Sequence, residues 1–171
     1  AFQLLEHVTG EKVTRLFGHR SSVVPTRKVD DDAMVLLEFA SGASGSLIAS
    51  QVCTGCENGL TLRVYGTTGA IEWRQEHPND LRILHKDGAT EIRRPGNSYL
   101  SATAASLTRL PAGHPEGYLE GFANIYTAFA RAIRGEENIE HAFPTVGEGQ
   151  RGVHFIETVI ASAEQGQWVA L

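Results

Sequence analysis

Cysteine is scarce in this sequence, with two residues among 171, and no long apolar run occurs. Two thiols cannot build a disulfide framework, which predicts a protein of a reducing compartment, the cytoplasm. No apolar run reaches the length that a bilayer requires. Basic residues are also in deficit, because 15 Lys and Arg stand against 20 Asp and Glu, for a net charge of −5. This balance argues against nucleic-acid or membrane partners.

The composition suits a folded domain. Hydrophobic residues make up 42% and charged residues 20% of the chain, which excludes a disordered protein. The length predicts a single domain over residues 1–171. The first eight residues place Ala1, Leu4, Leu5 and Val8 at the period of a helix. Since no cap precedes them, we expect the end of a helix in a fragment of a longer protein.

Residues 12–94 have the pattern of successive β-strands. In the segment 32–39, Val35, Leu37 and Phe39 alternate with other residues, which predicts one buried face. Asp87-Gly88 is typical of the turn of a β-hairpin. The other predicted strands are 45–52, 60–65, 70–73, 80–86 and 89–94. Because the connections are short, neighbouring strands are expected to be antiparallel.

The last third of the chain predicts two helices after a Gly-, Ser- and Pro-rich loop at 95–113. Pro115 suits a first helical position, which makes His114 the N-cap. The predicted apolar stripe of this helix is Tyr118, Phe122, Ile125, Phe129 and Ile133. Thr145 and Glu148 fit the capping box of the second helix. Its predicted buried stripe is Val153, Ile156, Ile160 and Ala163, followed by Gly166 and an extended Trp168-Val169.

Strands followed by helices indicate an α+β fold, in which a large, predominantly antiparallel sheet carries helices on one face. The other face would expose apolar residues of 33–39, 45–52 and 60–65. A second copy of the chain is the expected cover. The sequence therefore predicts a homo-oligomer through this sheet face, with Met34 and Ile48 as candidate contacts.

Three short motifs have a structural as well as a chemical interpretation. Cys53-Thr54-Gly55-Cys56 lacks the second pair of ligands that a structural zinc needs, so two ordinary thiols are favoured. Gly147, Gly149 and Gly152 have the spacing of a dinucleotide fingerprint but follow no parallel strand, so we interpret the match as coincidence. Asp30-Asp31-Asp32 is interpreted as a solvated approach to a strand. No metal-binding or cofactor-binding residue is predicted in this chain.

The strongest candidate for substrate binding is the segment at the start of the first of these two C-terminal helices. His114, Glu116 and Tyr118 bring an imidazole, a carboxylate and a phenol together after a long loop. Such groups can form hydrogen bonds with a sugar or a polyol. The alternative remains open that His114 and Glu116 cap the helix and that Tyr118 only begins its stripe.

Four segments, taken in order, resemble parts of one protein family. They are Asp32 to Ser50, Leu62 to Ile71 with Gly66-Thr67-Thr68-Gly69 between two strands, His114 to Tyr126, and Pro144 to Val169. Together they resemble, from end to end, the C-terminal domain of the Gfo/Idh/MocA family of NAD(P)-dependent oxidoreductases. The resemblance implies a fold like the C-terminal domain of glyceraldehyde-3-phosphate dehydrogenase, and a sugar-like substrate.

The resemblance also implies a further domain. Family members place a Rossmann domain first, with a Lys in an E-K-P motif and an Asp and a His in a D-x-G-x-H-x-x-D segment. Ala1 to Leu5 would align just after that His, so no catalytic residue is carried over to this chain. Gln3 stands where many members have the second Asp. NAD or NADP would be bound by the N-terminal Rossmann domain of the full-length protein and not by this chain.

Two hypotheses from different classes follow. The first is the substrate-binding and oligomerisation domain of a dehydrogenase that acts on a sugar, a polyol or a related compound. The second is a stand-alone, non-catalytic binding or scaffold module of the same fold. The coding sequence upstream of Ala1 distinguishes them, because only the first hypothesis requires a G-x-G-x-x-G region followed by E-K-P.

Overall fold

The protein is described here by a computed structural model, which covers residues 1–136 and 143–171. The elements follow in the order α1 (Phe2–Thr9), β1 (Val13–Ser21), β2 (Asp32–Phe39), β3 (Ser44–Ser50), β4 (Thr61–Tyr65), β5 (Gly69–Arg74), β6 (Leu81–His85), β7 (Glu91–Arg93), α2 (Ala102–Ser106), α3 (Tyr118–Ile133), α4 (Val146–Gln165) and β8 (Val169–Ala170). None of the helices described in these two ranges is long and apolar enough to cross a membrane.

The predicted α+β class and the antiparallel pairing of the strands are confirmed. The strands divide into two four-stranded sheets, however, where one large sheet was expected. The chain also separates into two compact units. Unit 1 consists of Ala1–Cys56 and Thr145–Leu171, and unit 2 consists of Glu57–Pro144.

The sheet of unit 1 has the strand order β3-β2-β1-β8 and two different faces. Val35, Leu37 and Phe39 of β2 are buried, as their alternation predicts. Met34 of β2 lies opposite Ile48 of β3, and both side chains are exposed on the other face. Unit 1 therefore has one core face and one apolar face in contact with solvent.

Helix α4 covers the core face and approaches β1 very closely. A Cβ atom on Gly18 of β1 would lie 2.8 Å from the backbone oxygen of Val159. Ser162, which is fully buried, accepts a hydrogen bond from the Gly18 N–H at 2.9 Å and donates one to the Gln167 carbonyl at 2.6 Å. This contact requires a glycine on the strand and a small polar residue on the helix.

The predicted buried stripe of α4 is wrong in part. Val153 and Ile156 are exposed and Ile160 and Ala163 are only half-buried, whereas the buried residues are Phe155, Thr158, Val159 and Ser162. Hydroxyl groups on the buried face explain the difference. The Thr158 hydroxyl donates to the His154 carbonyl at 2.8 Å, so the polar atom is satisfied inside the protein. The predicted capping box of Thr145 and Glu148 is confirmed.

A buried carboxylate, Glu6, connects α1 with β1 and α4. Its oxygens accept hydrogen bonds from the Val13 N–H at 2.9 Å, from Lys12 Nζ at 2.9 Å and from Arg151 Nη2 at 2.7 Å. The Arg151 guanidinium also lies over the ring of Phe2, which stacks on Phe155. The charged network around Glu6 therefore lies beside the apolar contact that Phe2 and Phe155 form between α1 and α4.

Asp31 contradicts the interpretation of Asp30-Asp31-Asp32 as a solvated run. It is 5% exposed and accepts hydrogen bonds from the N–H groups of Val23 at 2.8 Å and Val24 at 3.1 Å. Arg27 Nη1 donates to the same carboxylate at 3.2 Å. These bonds, that of Val23 first, lower the pKa of Asp31. The residue fixes the connection between β1 and β2.

The sheet of unit 2 has the order β4-β5-β6-β7. Its strands β6 and β7 pair around Asp87-Gly88, as predicted. Glu72 of β5 is buried and forms ion pairs with Arg63 at 3.0 Å, Arg74 at 2.9 Å and Arg82 at 3.7 Å. Three cations thus converge on one carboxylate and compensate for its burial.

Helix α3 begins later than predicted. Its N-cap is Gly117, so the prediction of His114 as the N-cap is wrong. The carboxylate of Glu120 accepts a hydrogen bond from the Gly117 N–H at 2.7 Å. Glu116 stays outside the helix because its N–H donates to Asn79 Oδ1 at 3.0 Å. The first turn is therefore fixed by the local capping contact of Glu120 and by the tertiary contact with Asn79, and not by Pro115.

The apolar stripe of α3 is present, but it is not buried in the described part of the chain. The side chains of this stripe have exposed fractions between 42% and 73%. They are Tyr118, Phe122, Ile125, Phe129 and Ile133. Leu119 and Tyr126, beside the stripe, are also exposed. An amphipathic helix therefore presents its apolar side to solvent.

Candidate functional site

The predicted segment around His114 lies in unit 2, where Asn79 holds it in place. Asn79 Nδ2 donates to the Glu116 carbonyl at 2.8 Å, and the Glu116 N–H donates back to Asn79 Oδ1 at 3.0 Å. The Asn79 side chain follows β5 in a turn that also includes Pro78. The amide thus acts as a two-point clamp on the chain just before α3.

The Glu116 carboxylate holds the end of the long loop. Its Oε1 accepts hydrogen bonds from the N–H groups of Arg109, at 2.6 Å, and Leu110. The loop at 95–113 includes the short helix α2, which the sequence did not predict and which Ser101 caps. We call residues 107–111 the strap, because they cross from α2 to the start of α3.

The polar side of α3 binds the same strap. Arg109 Nε donates to Asn124 Oδ1 at 2.9 Å, and Arg109 Nη2 donates to Thr127 Oγ1 at 3.1 Å. Asn124 Nδ2 donates to the Leu107 carbonyl at 2.7 Å. Together with Glu116, these contacts fix the rotation of α3 about its axis.

A groove of about 470 Å³ lies beside this clamp and has a partly aromatic wall. It is lined by Trp73, Gln75, Pro78, Asn79, Pro95, Glu116, Gly117, Tyr118, Glu120, Gly121, Phe122, Asn124 and Ile125. Trp73 is oriented by its Nε1, which donates to the Pro78 carbonyl at 3.0 Å. Tyr118 and Phe122 meet edge to face, with ring centroids 5.0 Å apart. The volume lies in the range of small-molecule sites.

Most charged and amide groups of the groove are already engaged. Glu120 binds the Gly117 N–H, which is the main reason why the pKa of Glu120 lies below its ordinary value. Gln75 Nε2 has only a long contact of 3.5 Å with the Asn58 carbonyl. In the described ranges, the Tyr118 hydroxyl has no hydrogen-bond partner. The groove therefore offers aromatic surface and few free polar groups, without a free carboxylate.

The three residues predicted as substrate-binding have different places. Glu116 and Tyr118 line the groove. His114 does not line it; this side chain is exposed, with Nδ1 3.2 Å from the Pro111 carbonyl. The sequence analysis did not predict Trp73, Gln75 or Asn79 as site residues. Pro78-Asn79-Asp80 has the composition of a turn, which is a signal for a connection between strands and not for a ligand.

The remaining motifs do not form a site for a metal or a dinucleotide. Cys53 and Cys56 are exposed free thiols in a turn after β3, and no cluster of three or more ligating side chains occurs within residues 1–136 and 143–171. Gly147 and its neighbours lie within the first turns of α4. The Glu148 carboxylate at this helix start binds the Thr145 N–H at 2.7 Å, so a pyrophosphate would meet negative charge there. These residues do not fit NAD or NADP.

Comparison with known proteins identifies the fold and the family. A family model described as "Oxidoreductase family, C-terminal alpha/beta domain" matches residues 2–171. The antiparallel α+β arrangement is thus that of an oxidoreductase C-terminal domain. The chain belongs to the Gfo/Idh/MocA family of oxidoreductases.

Individual relatives agree with this assignment. The chain is 36% identical to the uncharacterized oxidoreductase YfiI of Bacillus subtilis, over 92% of this chain and 42% of the relative. It matches the crystal structure of an oxidoreductase from Sinorhizobium meliloti with a TM-score of 0.94 and 40% identity, over 99% of this chain and 49% of that one.

A third relative was crystallised with ligands. The inositol dehydrogenase homolog from Azotobacter vinelandii, complexed with NADH and myo-inositol, has a TM-score of 0.90 and 31% identity, over 98% of this chain and 47% of that one. The chain therefore spans less than half the length of each of these relatives.

Proposed function

We propose that the chain is the substrate-binding and oligomerisation domain of an NAD(P)-dependent dehydrogenase that acts on a sugar, a polyol or a related compound. Family membership and a relative crystallised with NADH and myo-inositol support this proposal. The cofactor would be bound by an N-terminal Rossmann domain of the full-length protein. The groove beside α3 is the main structural observation from which we assign substrate binding to this domain.

The chemistry of the groove suits a neutral polyhydroxylated ring. Trp73 and Tyr118 offer aromatic surface to the C–H face of such a ring. The Tyr118 hydroxyl and the Gln75 amide are available to its hydroxyl groups. Glu116 and Glu120 already accept hydrogen bonds from backbone N–H groups, so fewer of their oxygens remain for a ligand. His114, just outside the groove, is proposed to meet the ligand at its edge.

This chain would bind and orient the substrate, while proton and hydride transfer would take place at residues of the other domain. A wall held by the Asn79 clamp fixes the position of a ring in the groove. Such positioning contributes to catalysis because it converts an encounter of two reactants into a reaction within one complex.

The kinetic test uses the full-length enzyme, with polyols as substrates and NAD+ and NADP+ as cofactors. The variant Tyr118→Phe removes one hydroxyl and should raise the KM for the polyol about two- to tenfold, with the KM for the cofactor unchanged. Tyr65→Phe, at an exposed tyrosine outside the groove, is the matched control. Equal kinetics of both variants would place the substrate elsewhere.

The absence of a cofactor site from this chain is tested separately. Calorimetric titration of residues 1–171 with NAD+ and NADP+ should show no binding. Micromolar affinity would contradict the proposed division of roles. We also propose a cytoplasmic location, which the two exposed free thiols support.

The second candidate is a stand-alone binding module. One observation favours it, since the whole groove is built from residues of unit 2 and needs no second domain to exist. The coding sequence upstream of Ala1 decides between the two functions. A start codon directly before it supports the module, and a G-x-G-x-x-G region followed by E-K-P supports the enzyme.

The proposed oligomer uses the free face of the sheet in unit 1. Met34, Leu36 and Ile48 are each at least half exposed on that face, opposite the side that α4 covers. Burying them against a second copy would remove an apolar surface from water. We therefore propose a homo-oligomer that is formed through β2 and β3.

A further inference from the structure

The two cysteines of the chain, Cys53 and Cys56, are the first and last residues of one tight turn. The Cys56 N–H donates to the Cys53 carbonyl at 3.0 Å, which closes a four-residue β-turn. Gly55, the third residue of this turn, has a φ of 89°. A positive φ at that position is typical of a type II turn, and glycine adopts it without strain. The motif that the sequence analysis interpreted as two ordinary thiols therefore has a defined geometry.

This turn brings the two cysteines within reach of a disulfide bond. In a β-turn, the Cα atoms of the first and last residues lie less than about 7 Å apart. Disulfide bonds join cysteines whose Cα atoms are about 4.4–6.8 Å apart. The turn is already closed by a backbone hydrogen bond while both thiols are free. A bond between the two sulfur atoms can therefore form without unfolding the chain around it.

The turn is open to solvent, while the chain that leads into it is anchored. Residues 53–59 are all exposed, so small thiols and disulfides can reach both cysteines. The Gln51 N–H donates to the Asp31 carbonyl at 2.8 Å, and the Val52 N–H donates to Ser50 Oγ at 3.3 Å. The pair thus combines a fixed position at the end of β3 with free access for reagents.

We propose that Cys53 and Cys56 form a reversible redox site, which alternates between a dithiol and an intramolecular disulfide. Its oxidant is a low-molecular-weight disulfide such as oxidised glutathione. The thiolate of one cysteine attacks this disulfide, forms a mixed disulfide and releases one glutathione thiolate. The thiolate of the other cysteine then attacks the protein sulfur of the mixed disulfide and releases the second. Two electrons pass from the protein to glutathione, and the two protons of the cysteines end on the two released glutathione molecules.

The shortness of the ring makes this bond a reversible modification and not a structural crosslink. A disulfide stabilises a protein mainly by constraining the unfolded chain, and it does so less for shorter loops. Only Thr54 and Gly55 lie between the two cysteines, and the bond would be exposed to reducing thiols. In a reducing compartment, disulfides are typically transient, and some of them act as redox sensors. The site therefore agrees with the cytoplasmic location that we propose.

A redox titration of the full-length protein in glutathione buffers tests the site. After each incubation, free thiols are blocked with an alkylating reagent, and a tryptic digest is analysed by mass spectrometry. Both cysteines fall in one peptide, residues 29–63, because the sequence contains no Lys or Arg between Lys28 and Arg63. An intramolecular disulfide leaves this peptide with neither the blocking reagent nor glutathione. Its mass therefore distinguishes it from the dithiol and from the mixed disulfide.

The response to dilution of the buffer identifies the intramolecular bond. For each oxidised glutathione consumed, this bond releases two reduced molecules, whereas a mixed disulfide releases one. At a fixed ratio of reduced to oxidised glutathione, a tenfold dilution should thus raise the ratio of disulfide to dithiol by about tenfold. A persistent dithiol at every ratio would overturn the inference. A glutathione adduct that does not respond to dilution, or a disulfide between two copies of the chain, would also overturn it.

A pair of glycine variants tests whether the turn controls this equilibrium. Gly55→Ala adds a Cβ that meets no atom within 4 Å, so its only cost is the strained φ of the turn. We expect the ratio of disulfide to dithiol to fall about five- to tenfold, because the dithiol can relax this strain and the closed ring cannot. Gly42→Ala is the matched control, since Gly42 has a φ of 88°, meets no atom within 4 Å and lies in the turn between β2 and β3. This control should leave the ratio unchanged, and equal ratios for Gly55→Ala and the wild type would overturn the inference.

Discussion

The carboxylate of Glu6 shows how one residue governs the pH response of unit 1. Burial by itself would raise its pKa, but hydrogen bonds from Arg151, from Lys12 and from the Val13 N–H outweigh that effect. The pKa of Glu6 therefore lies below its ordinary value. The residue favours its ionised form in the folded protein more than it does in the unfolded chain.

We expect acid to destabilise the protein through Glu6. A carboxyl group whose pKa is lowered by folding stabilises the protein fully above its unfolded pKa, and this stabilisation is lost as the pH falls through the folded pKa. Urea unfolding measured from pH 7 down to pH 3 should show a decrease in the free energy of unfolding below about pH 4.5. The variant Glu6→Gln should be less stable at pH 7 and should show a shallower decrease. Parallel curves for the two proteins would contradict this assignment.

The contribution of His114 to binding can now be separated from helix capping. Gly117 is the N-cap of α3, so His114→Ala should not lower the Tm. The loss of one hydrogen bond to a substrate hydroxyl costs about 0.5–1.5 kcal/mol, which corresponds to a decrease of kcat/KM of up to about tenfold. Steady-state kinetics of the full-length enzyme measure it, with His7→Ala in α1 as control. Unchanged kcat/KM would remove His114 from the proposed site.

Single residues were the least predictable part of the sequence. A run of three aspartates gave no sign that Asp31 is buried, because its partners are backbone N–H groups of Val23 and Val24. Backbone donors cannot be located from residue types. For the same reason the clamp of Asn79 on Glu116 was invisible, since it joins positions far apart in the sequence.

Among the elements, β1 and α4 approach each other so closely that their contact requires a residue without a Cβ atom, Gly18. Gly18→Ala would place a Cβ 2.8 Å from the backbone oxygen of Val159, and we expect a loss of about 1–3 kcal/mol in the free energy of unfolding. Gly149→Ala in α4 meets no atom within 4 Å and should be neutral or stabilising by up to about 1 kcal/mol. Chemical denaturation of both variants measures the difference. Similar stabilities of the two would show that β1 and α4 can move apart without cost.

Strands were predicted better than helix faces, and the physical reason lies in their periods. The alternation of Val35, Leu37 and Phe39 identifies the buried face of β2 directly, because a strand has only two faces. A helix can be rotated about its axis, and hydrophobicity selects a face only if the chain supplies the partner. The apolar stripe of α3 stays exposed among the described residues, and in α4 the buried Ser162 and Thr158 bind backbone groups.

For the whole molecule, the open sheet face of unit 1 predicts self-association. Met34→Asp and Ile48→Asp should each shift sedimentation towards the 18.5 kDa monomer, because a charge on this face would have to be desolvated in the interface. The control Val29→Asp changes an exposed loop position and should leave the distribution unaltered. A wild-type protein that sediments only as a monomer at micromolar concentration would refute the proposed oligomer.

Unit 1 is discontinuous, since residues 57–144 are inserted between its two segments. A ribosome adds about 5–20 residues per second, so β1, β2 and β3 are complete on the order of ten seconds before α4 and β8 emerge. During this interval Leu16 and Leu37, which are fully buried in the finished protein, have no helix above them. The contiguous unit 2 is able to fold first. The nascent chain thus passes through a stage at which the three strands of an incomplete sheet expose their apolar face, the kind of surface that chaperones bind.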